Sequence, residues 1–139
     1  MQTKYYIIAG EASGDLHGSN LIKELQKLDA NTDFNVWGGD KMQSTGATLV
    51  KHYRDLAFMG FAEVIKNLPT IFKNLKFCKQ DILAYKLNAL ILIDYTGFNL
   101  RIAKCAQQQG LNVIFYISTQ VWARNESRLT DIKNYMDYI

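Results

Sequence analysis

The chain of 139 residues carries 16 Lys and Arg against 13 Asp and Glu, a formal charge of +3, with 48% hydrophobic and 21% charged residues. That balance excludes a disordered, collagen-like or linker-rich chain and supplies the apolar residues of one core, and at roughly 100–200 residues per domain it leaves room for a single domain. The slight positive excess permits contact with phosphates or an anionic membrane surface but requires no nucleic-acid partner, and no apolar run approaches the ~18 residues of a membrane span.

Tyr5 to Ala9 is an apolar run ending at Gly10, and it reads as a first strand rather than a signal peptide, so a cytoplasmic protein is expected. After a turn, Leu21, Ile22, Leu25 and Leu28 fall at helical spacing. Phe34 to Trp37 predicts a second strand stopped by Gly38 and Gly39, and Ala47 to Val50 a third, short extended piece. Two helical stretches follow, Phe61 to Leu68 and Thr70 to Leu87, divided or kinked at Pro69. Ala89 to Ile93 is a strand with Asp94 at its end. A helix from about Asn99 to Gln109 is closed by Gly110, and Val113 to Ile117 is a further strand. A last helix spans Glu126 to Tyr138, after which the sequence stops without a polar tail, so a fragment of a longer chain is expected.

The runs 89–93 and 113–117 do not alternate in polarity, as befits strands buried on both faces. The fold they predict is α/β, a Rossmann-like three-layer α/β/α sandwich with a mainly parallel sheet. In such sheets the ligand crevice lies at the carboxyl ends of the strands. Four segments then converge there: 10–15, 37–40, 94–99 and 118–122.

The first segment has glycines at 10, 14 and 18, which is neither GxGxxG nor a P-loop. Gly10 and Gly14 let the backbone turn and approach a ligand, and Ser13 with the opening N–H groups of the helix can hydrogen-bond an anion or a sugar hydroxyl. The same composition serves equally as a plain turn with Ser13 or Asp15 as N-cap. Asp94, directly after a five-residue apolar strand, sits where desolvation can tune a carboxylate toward general-base work. Taken alone it reads as an Asx-turn residue before Gly97. Cys78 and Cys105 belong to no CxxC pair, so free thiols are expected, and His17 and His52 have no ligand-spaced partners, so no metal site is expected. Between Pro69 and Leu87, Ile71, Leu75, Cys78 and Ile82 share one narrow face, whereas Phe77 turns outward among Lys73 and Lys76. With Phe58, Met59 and Phe61 this is either a basic, aromatic membrane-facing surface or an ordinary solvated lysine face, and periodicity alone favours the latter.

Taken together, GEASGDLHGSNLI (10–22), GGDKMQSTG (38–46), LAFMGFAEVI (56–65), LIDYTGFNLRIAK (92–104) and YISTQVWARNESR (116–128) resemble, in order and spacing, the N-terminal half of the lipid-A-disaccharide synthase family. The resemblance runs the length of the chain. It implies the N-terminal, acceptor-side lobe of a two-lobed GT-B glycosyltransferase. Such an enzyme joins UDP-2,3-diacylglucosamine to 2,3-diacylglucosamine 1-phosphate and releases UDP, with no metal or other cofactor. It implies that Asp94 is the general base toward the acceptor's 6-hydroxyl and that Glu11, Ser13, Gly14 and Asp15 line the cleft, with Met59, Asn99 and Gln120 as further contacts. It also implies peripheral attachment to the inner face of the cytoplasmic membrane, with Phe58, Phe61, Phe72, Phe77, Lys73 and Lys76 as membrane or acyl contacts.

Three positions depart from the family's pattern. Thr96 and Thr119 stand where it usually carries Pro, and Arg124 where it carries Trp, which loosens loops beside the cleft because Pro restricts φ. The C-terminal lobe that supplies most of the family's UDP site is missing, so these 139 residues are expected to be inactive alone. The other reading is a relic or split-gene lobe that only binds lipid or a partner chain.

Overall fold

The computed structural model describes residues 2–55 and 68–116. Within them the chain runs β1 (Thr3–Ala9), α1 (Ala12–Leu28), β2 (Thr32–Gly38), α2 (Asp40–Gln43), β3 (Thr48–His52), α3 (Leu68–Tyr85), β4 (Ala89–Ile93), α4 (Thr96–Gln108) and β5 (Val113–Tyr116), with a 3-10 turn at Tyr53–Asp55. Every pairing is parallel, and the sheet order is β3-β2-β1-β4-β5. The chain steps outward from β1 to β3, crosses back to β4 on the other side of β1, and goes on to β5. β1 and β4 are in register from Tyr5↔Ala89 to Ala9↔Ile93. Their outgoing connections leave in opposite directions, and a reversal of this kind opens a crevice at the carboxyl ends of the two strands.

The run 89–93 does what the sequence predicts, with Leu90 and Leu92 fully buried beside Tyr6, Ile7, Ile8 and Ala9 of β1, whereas the run from Val113 lies on the edge strand β5 and alternates, with Val113 and Phe115 buried and Tyr116 45% exposed. Successive residues feed opposite faces of the sheet. Tyr6, Ile8, Trp37, Leu90 and Leu92 meet Leu75, Cys78 and Ile82 of α3 and Phe98, Ile102 and Ala103 of α4. Ile7, Ala9, Val36, Ile91 and Ile93 meet Ile22 of α1 and Met42 of α2. Helices therefore cover both faces, as expected of a three-layer sandwich. α1 comes close to the sheet because Gly14 has no Cβ: one built there would lie 2.8 Å from the Cβ of Ala9.

Several boundaries differ from expectation. Pro69 is the second residue of α3 as described, and the stretch before it, with which the expected division or kink would be made, lies outside the described residues. The stretch from Phe61 up to residue 67 and the expected helix from Glu126 to Tyr138 lie outside the described residues, as does Ile117. Leu28, at the end of α1, overhangs the core and is 84% exposed, while Ile22 carries the burial. The four-residue α2 is too short to leave a periodic signal. Cys78 is buried and Cys105 half-buried, both as free thiols.

The α3 face also holds a buried polar chain. The Trp37 indole N–H donates to the Tyr6 hydroxyl at 2.9 Å, and that hydroxyl donates to Asp81 Oδ2 at 2.6 Å. Tyr85 likewise donates to Asp33. Burial is the main force pushing the Tyr6 phenol far above its ordinary value of 10.0 and the Cys78 thiol well above 9.0. Both groups are thus neutral in the folded chain at pH values where the unfolded chain would release their protons. Stability is fully present below those ordinary values and falls above them, by about 1.4 kcal/mol per pH unit for the Tyr6 phenol. Urea unfolding midpoints measured from pH 7 to 11 should show a plateau that breaks between pH 9 and 10, and a flat profile to pH 11 would contradict this.

Candidate active site

Because all strands are parallel, the segments that follow β1, β2 and β4 share the carboxyl edge of the sheet. The fourth expected segment, 118–122, lies outside the described residues, although β5 brings Tyr116 to the same edge. After β1, Glu11 occupies the N-cap position of α1 in extended geometry (φ −155°) without a side-chain cap. Ser13 Oγ donates to Glu11 Oε1 at 3.0 Å, and both residues are exposed at the rim. Neither Ser13 nor Asp15 is therefore the N-cap. Gly10 also serves a different purpose from the one expected. A Cβ there would lie 2.5 Å from Tyr95 Cγ, so it makes room for a side chain of the protein itself.

Asp15 is buried, and its carboxylate is taken up internally. Oδ1 accepts the N–H groups of Gly39 at 2.8 Å and Met42 at 3.0 Å, and Oδ2 accepts that of Lys41 at 3.1 Å. Helix N-termini present such donors without intrahelical partners. Asp15 of α1 thus caps α2 from outside and ties the loop after β2 to the loop after β1.

After β4 the backbone does something the sequence gives no sign of. Asp94 (φ 45°) and Tyr95 (φ 44°, ψ 50°) both occupy the left-handed region, and α4 begins at Thr96, three residues before the expected start. For residues other than glycine this costs about 1–3 kcal/mol each and persists only where packing enforces it. Here the Asp94 N–H donates to the Tyr116 carbonyl at 3.0 Å, and the Tyr95 ring stacks on Phe98 with centroids 5.0 Å apart. Burial raises the pKa of the Tyr95 phenol. Asn99 is fully buried, and its Nδ2 donates to the Asp94 carbonyl at 2.9 Å, with the carbonyls of Ile8 and Ile93 at 3.4 and 3.5 Å. Asp94 itself is buried, 6% exposed. The edge thus gathers Glu11, Ser13, Gly14, Asp15, Asp94 and Asn99, but with the first two exposed and the rest buried. His17 is half-buried with its ring 5.5 Å from that of Tyr116. The sequence marks Tyr95 and Tyr116 only as aromatic residues at or just past the end of an apolar strand.

On the outer side of α3, Phe72 is 59% exposed, Lys73 and Lys76 are exposed, and Phe77 is 42% exposed. Phe77 is partly held, with its ring 6.2 Å from that of Trp37 and the Lys51 ammonium 5.4 Å above it. Phe58, Met59, Phe61, Gln120, Thr119 and Arg124 lie outside the described residues. Among the described residues no helix is long and apolar enough to cross a membrane, and no three His, Cys, Asp or Glu side chains gather as a metal cluster.

A family model described as lipid-A-disaccharide synthetase matches residues 5–139. A lipid-A-disaccharide synthase of Geobacter metallireducens is 42% identical over 131 residues, which cover 94% of this chain and 34% of that relative. Lipid-A-disaccharide synthase 1 of Legionella pneumophila is 37% identical over 136 residues, covering 97% and 35%. Among solved structures, a UDP-GlcNAc 2-epimerase of Neisseria meningitidis is similar in fold, with a TM-score of 0.64 at 10% identity, over 99% of this chain and 39% of that one. The chain spans about a third of the length of the curated relatives it matches.

The Asp15 contacts give a direct stability test. Asp15→Ala strips three backbone donors of their acceptor and should lower the unfolding free energy by about 3 kcal/mol, with Asp15→Asn losing about 1–2 kcal/mol because one oxygen remains. Denaturant unfolding reads the loss, and amide exchange at Gly39, Lys41 and Met42 should accelerate with it.

Proposed function

The chain belongs to the lipid-A-disaccharide synthetase family, and from that premise we propose that it is the N-terminal, acceptor-side lobe of an inverting glycosyltransferase that builds the lipid A disaccharide. The observation that supports this reading most is Asp94, a carboxylate directly after β4 at the point where the strand order reverses. In this reading Asp94 takes the proton of the 6-hydroxyl of 2,3-diacylglucosamine 1-phosphate. The oxygen attacks the anomeric carbon of UDP-2,3-diacylglucosamine from the side opposite UDP. The carbon–oxygen bond to UDP breaks, its electron pair leaves on the diphosphate, and the configuration inverts to give a β-1,6 link. Glu11 and Ser13, exposed on the same edge, are the rim groups offered to the sugar.

The donor's UDP must be held by polypeptide beyond these residues, since in-line geometry supplies much of the rate. The exposed Phe72 with Lys73 and Lys76 is the surface assigned to the membrane: Lys attracts headgroup phosphate, and Phe enters the interfacial layer. In this reading the protein lies peripherally on the inner face of the cytoplasmic membrane.

The test joins residues 1–139 to the C-terminal two thirds of the Geobacter metallireducens relative and measures disaccharide 1-phosphate formation from the two lipid substrates. The 139 residues alone should be inactive and the chimera active, with Asp94→Ala lowering kcat about 10²–10⁴-fold. Turnover unchanged by Asp94→Ala would remove the base, and an inactive chimera that folds would move the function to lipid or partner binding. On the membrane side, Phe72→Ser combined with Lys73→Glu and Lys76→Glu should reduce sedimentation with anionic liposomes several-fold. Sedimentation equal to that of the parent chain would withdraw the surface.

A further inference from the structure

We infer that Asn99 is a positioning residue for Asp94, acting through the backbone of the left-handed turn; the inference rests on the reading of Asp94 as general base. Asn99 is 0% exposed, so it does not touch a substrate lying in the crevice, although its place in the sequence suggests a contact. Its side chain is also imperfectly satisfied, because among the described residues Oδ1 has no hydrogen-bond partner. An orphan acceptor in the interior is costly, and an apolar residue of the same shape would remove that cost. Packing alone therefore does not account for an amide at this position.

What the amide does is grip the turn. Carbonyls buried at the carboxyl ends of β1 and β4 need donors. Nδ2 of Asn99 faces three of them, the bond to the Asp94 carbonyl being the shortest at 2.9 Å. Its own backbone N–H donates to the Tyr95 carbonyl at 2.9 Å, so residue 99 holds both members of the left-handed pair. The Tyr116 carbonyl accepts the Asp94 N–H from the other side. The residue that carries the carboxylate is thereby fixed at its N–H by β5 and at its C=O by α4. A proton acceptor has to be held in this way, since an error of about 1 Å in placing a reacting group costs on the order of 10²-fold in rate.

The experiment uses the chimera described above. Asn99→Leu, which keeps the volume and removes the donor, should lower kcat about 10²-fold with the acceptor KM changed less than about twofold. In the Asp94→Ala background the same change should do almost nothing more, because the carboxylate it places is gone. Equal losses in both backgrounds, or a rise in KM at constant kcat, would overturn the inference. If Asn99→Leu does not fold, Asn99→Ala, which also removes the donor, is read the same way. A second measurement separates the two readings: amide exchange in the 139-residue chain at Asp94 and Tyr95 should rise at least about tenfold in Asn99→Leu, while Ile7 in mid-strand stays protected. Should Asp94→Ala leave kcat intact, the base assignment fails by itself and the exchange result decides whether Asn99 holds the turn; unchanged exchange means it does not.

Discussion

Where parallel strands end together on one edge and a helix opens beside them, buried N–H and C=O groups need partners, and burial forbids leaving them bare. In this chain two buried side chains meet that demand from opposite faces of the sheet. Asp15, on the α1 face, accepts the N–H of Gly39 after β2 and those of Lys41 and Met42 in the first turn of α2, and Asn99, on the α4 face, donates to carbonyls at the ends of β1 and β4. One is an acceptor among donors and the other a donor among acceptors. Between them they leave the rim residues Glu11 and Ser13 as the exposed polar groups of the first loop. The edge can face a ligand because its interior is already satisfied.

The two cores behind that edge are built differently. On the side of α1 and α2 the contact is close and largely aliphatic, with Ile22, Val36, Met42 and Ile93 in one cluster and Ala9 and Ile93 close against Gly14. On the side of α3 and α4 it is aromatic and carries polar links, Trp37 to Tyr6 to Asp81 and Tyr85 to Asp33. Directional bonds there fix α3 against β1 and β2 in a way that dispersion alone would not. The same helix turns Phe72, Lys73 and Lys76 outward, so an exposed aromatic sits on an element anchored from beneath.

Much of this was legible in the sequence, for identifiable reasons. Unbroken apolar runs such as 89–93 predict strands covered on both sides, and the helical stripe of Leu75, Cys78 and Ile82 is the buried one. The convergence of the loops follows from parallel order alone. The site's interior was not legible, because its causes are non-local. Asp15 has the look of a helix cap or a ligand contact, and its actual partners lie 24 to 27 residues away. Gly10 suggests a ligand-facing turn, yet the atom it avoids belongs to Tyr95, 85 positions later. Asp94 is of a type that visits the left-handed region singly, but nothing in Tyr95 announces a left-handed pair, which is held by Asn99, Phe98 and Tyr116. Propensity describes what a segment prefers, and this turn is set by what surrounds it.

The sheet order also has a consequence for how the molecule is assembled. Pairing β1 with β2 joins residues 29 positions apart (Thr3 with Thr32), whereas pairing β1 with β4 joins residues 84 apart (Tyr5 with Ala89). Closing the longer loop costs about 1 kcal/mol more in chain entropy, and it can be repaid only after β4 has found its slot. The seat of Tyr95 over Gly10 and the bond of Asn99 to the Ile8 carbonyl span that distant seam. The strained turn is thus installed on a half-sheet that already exists, which makes the crevice the late-forming part of the fold and the first to be lost when β4 lets go.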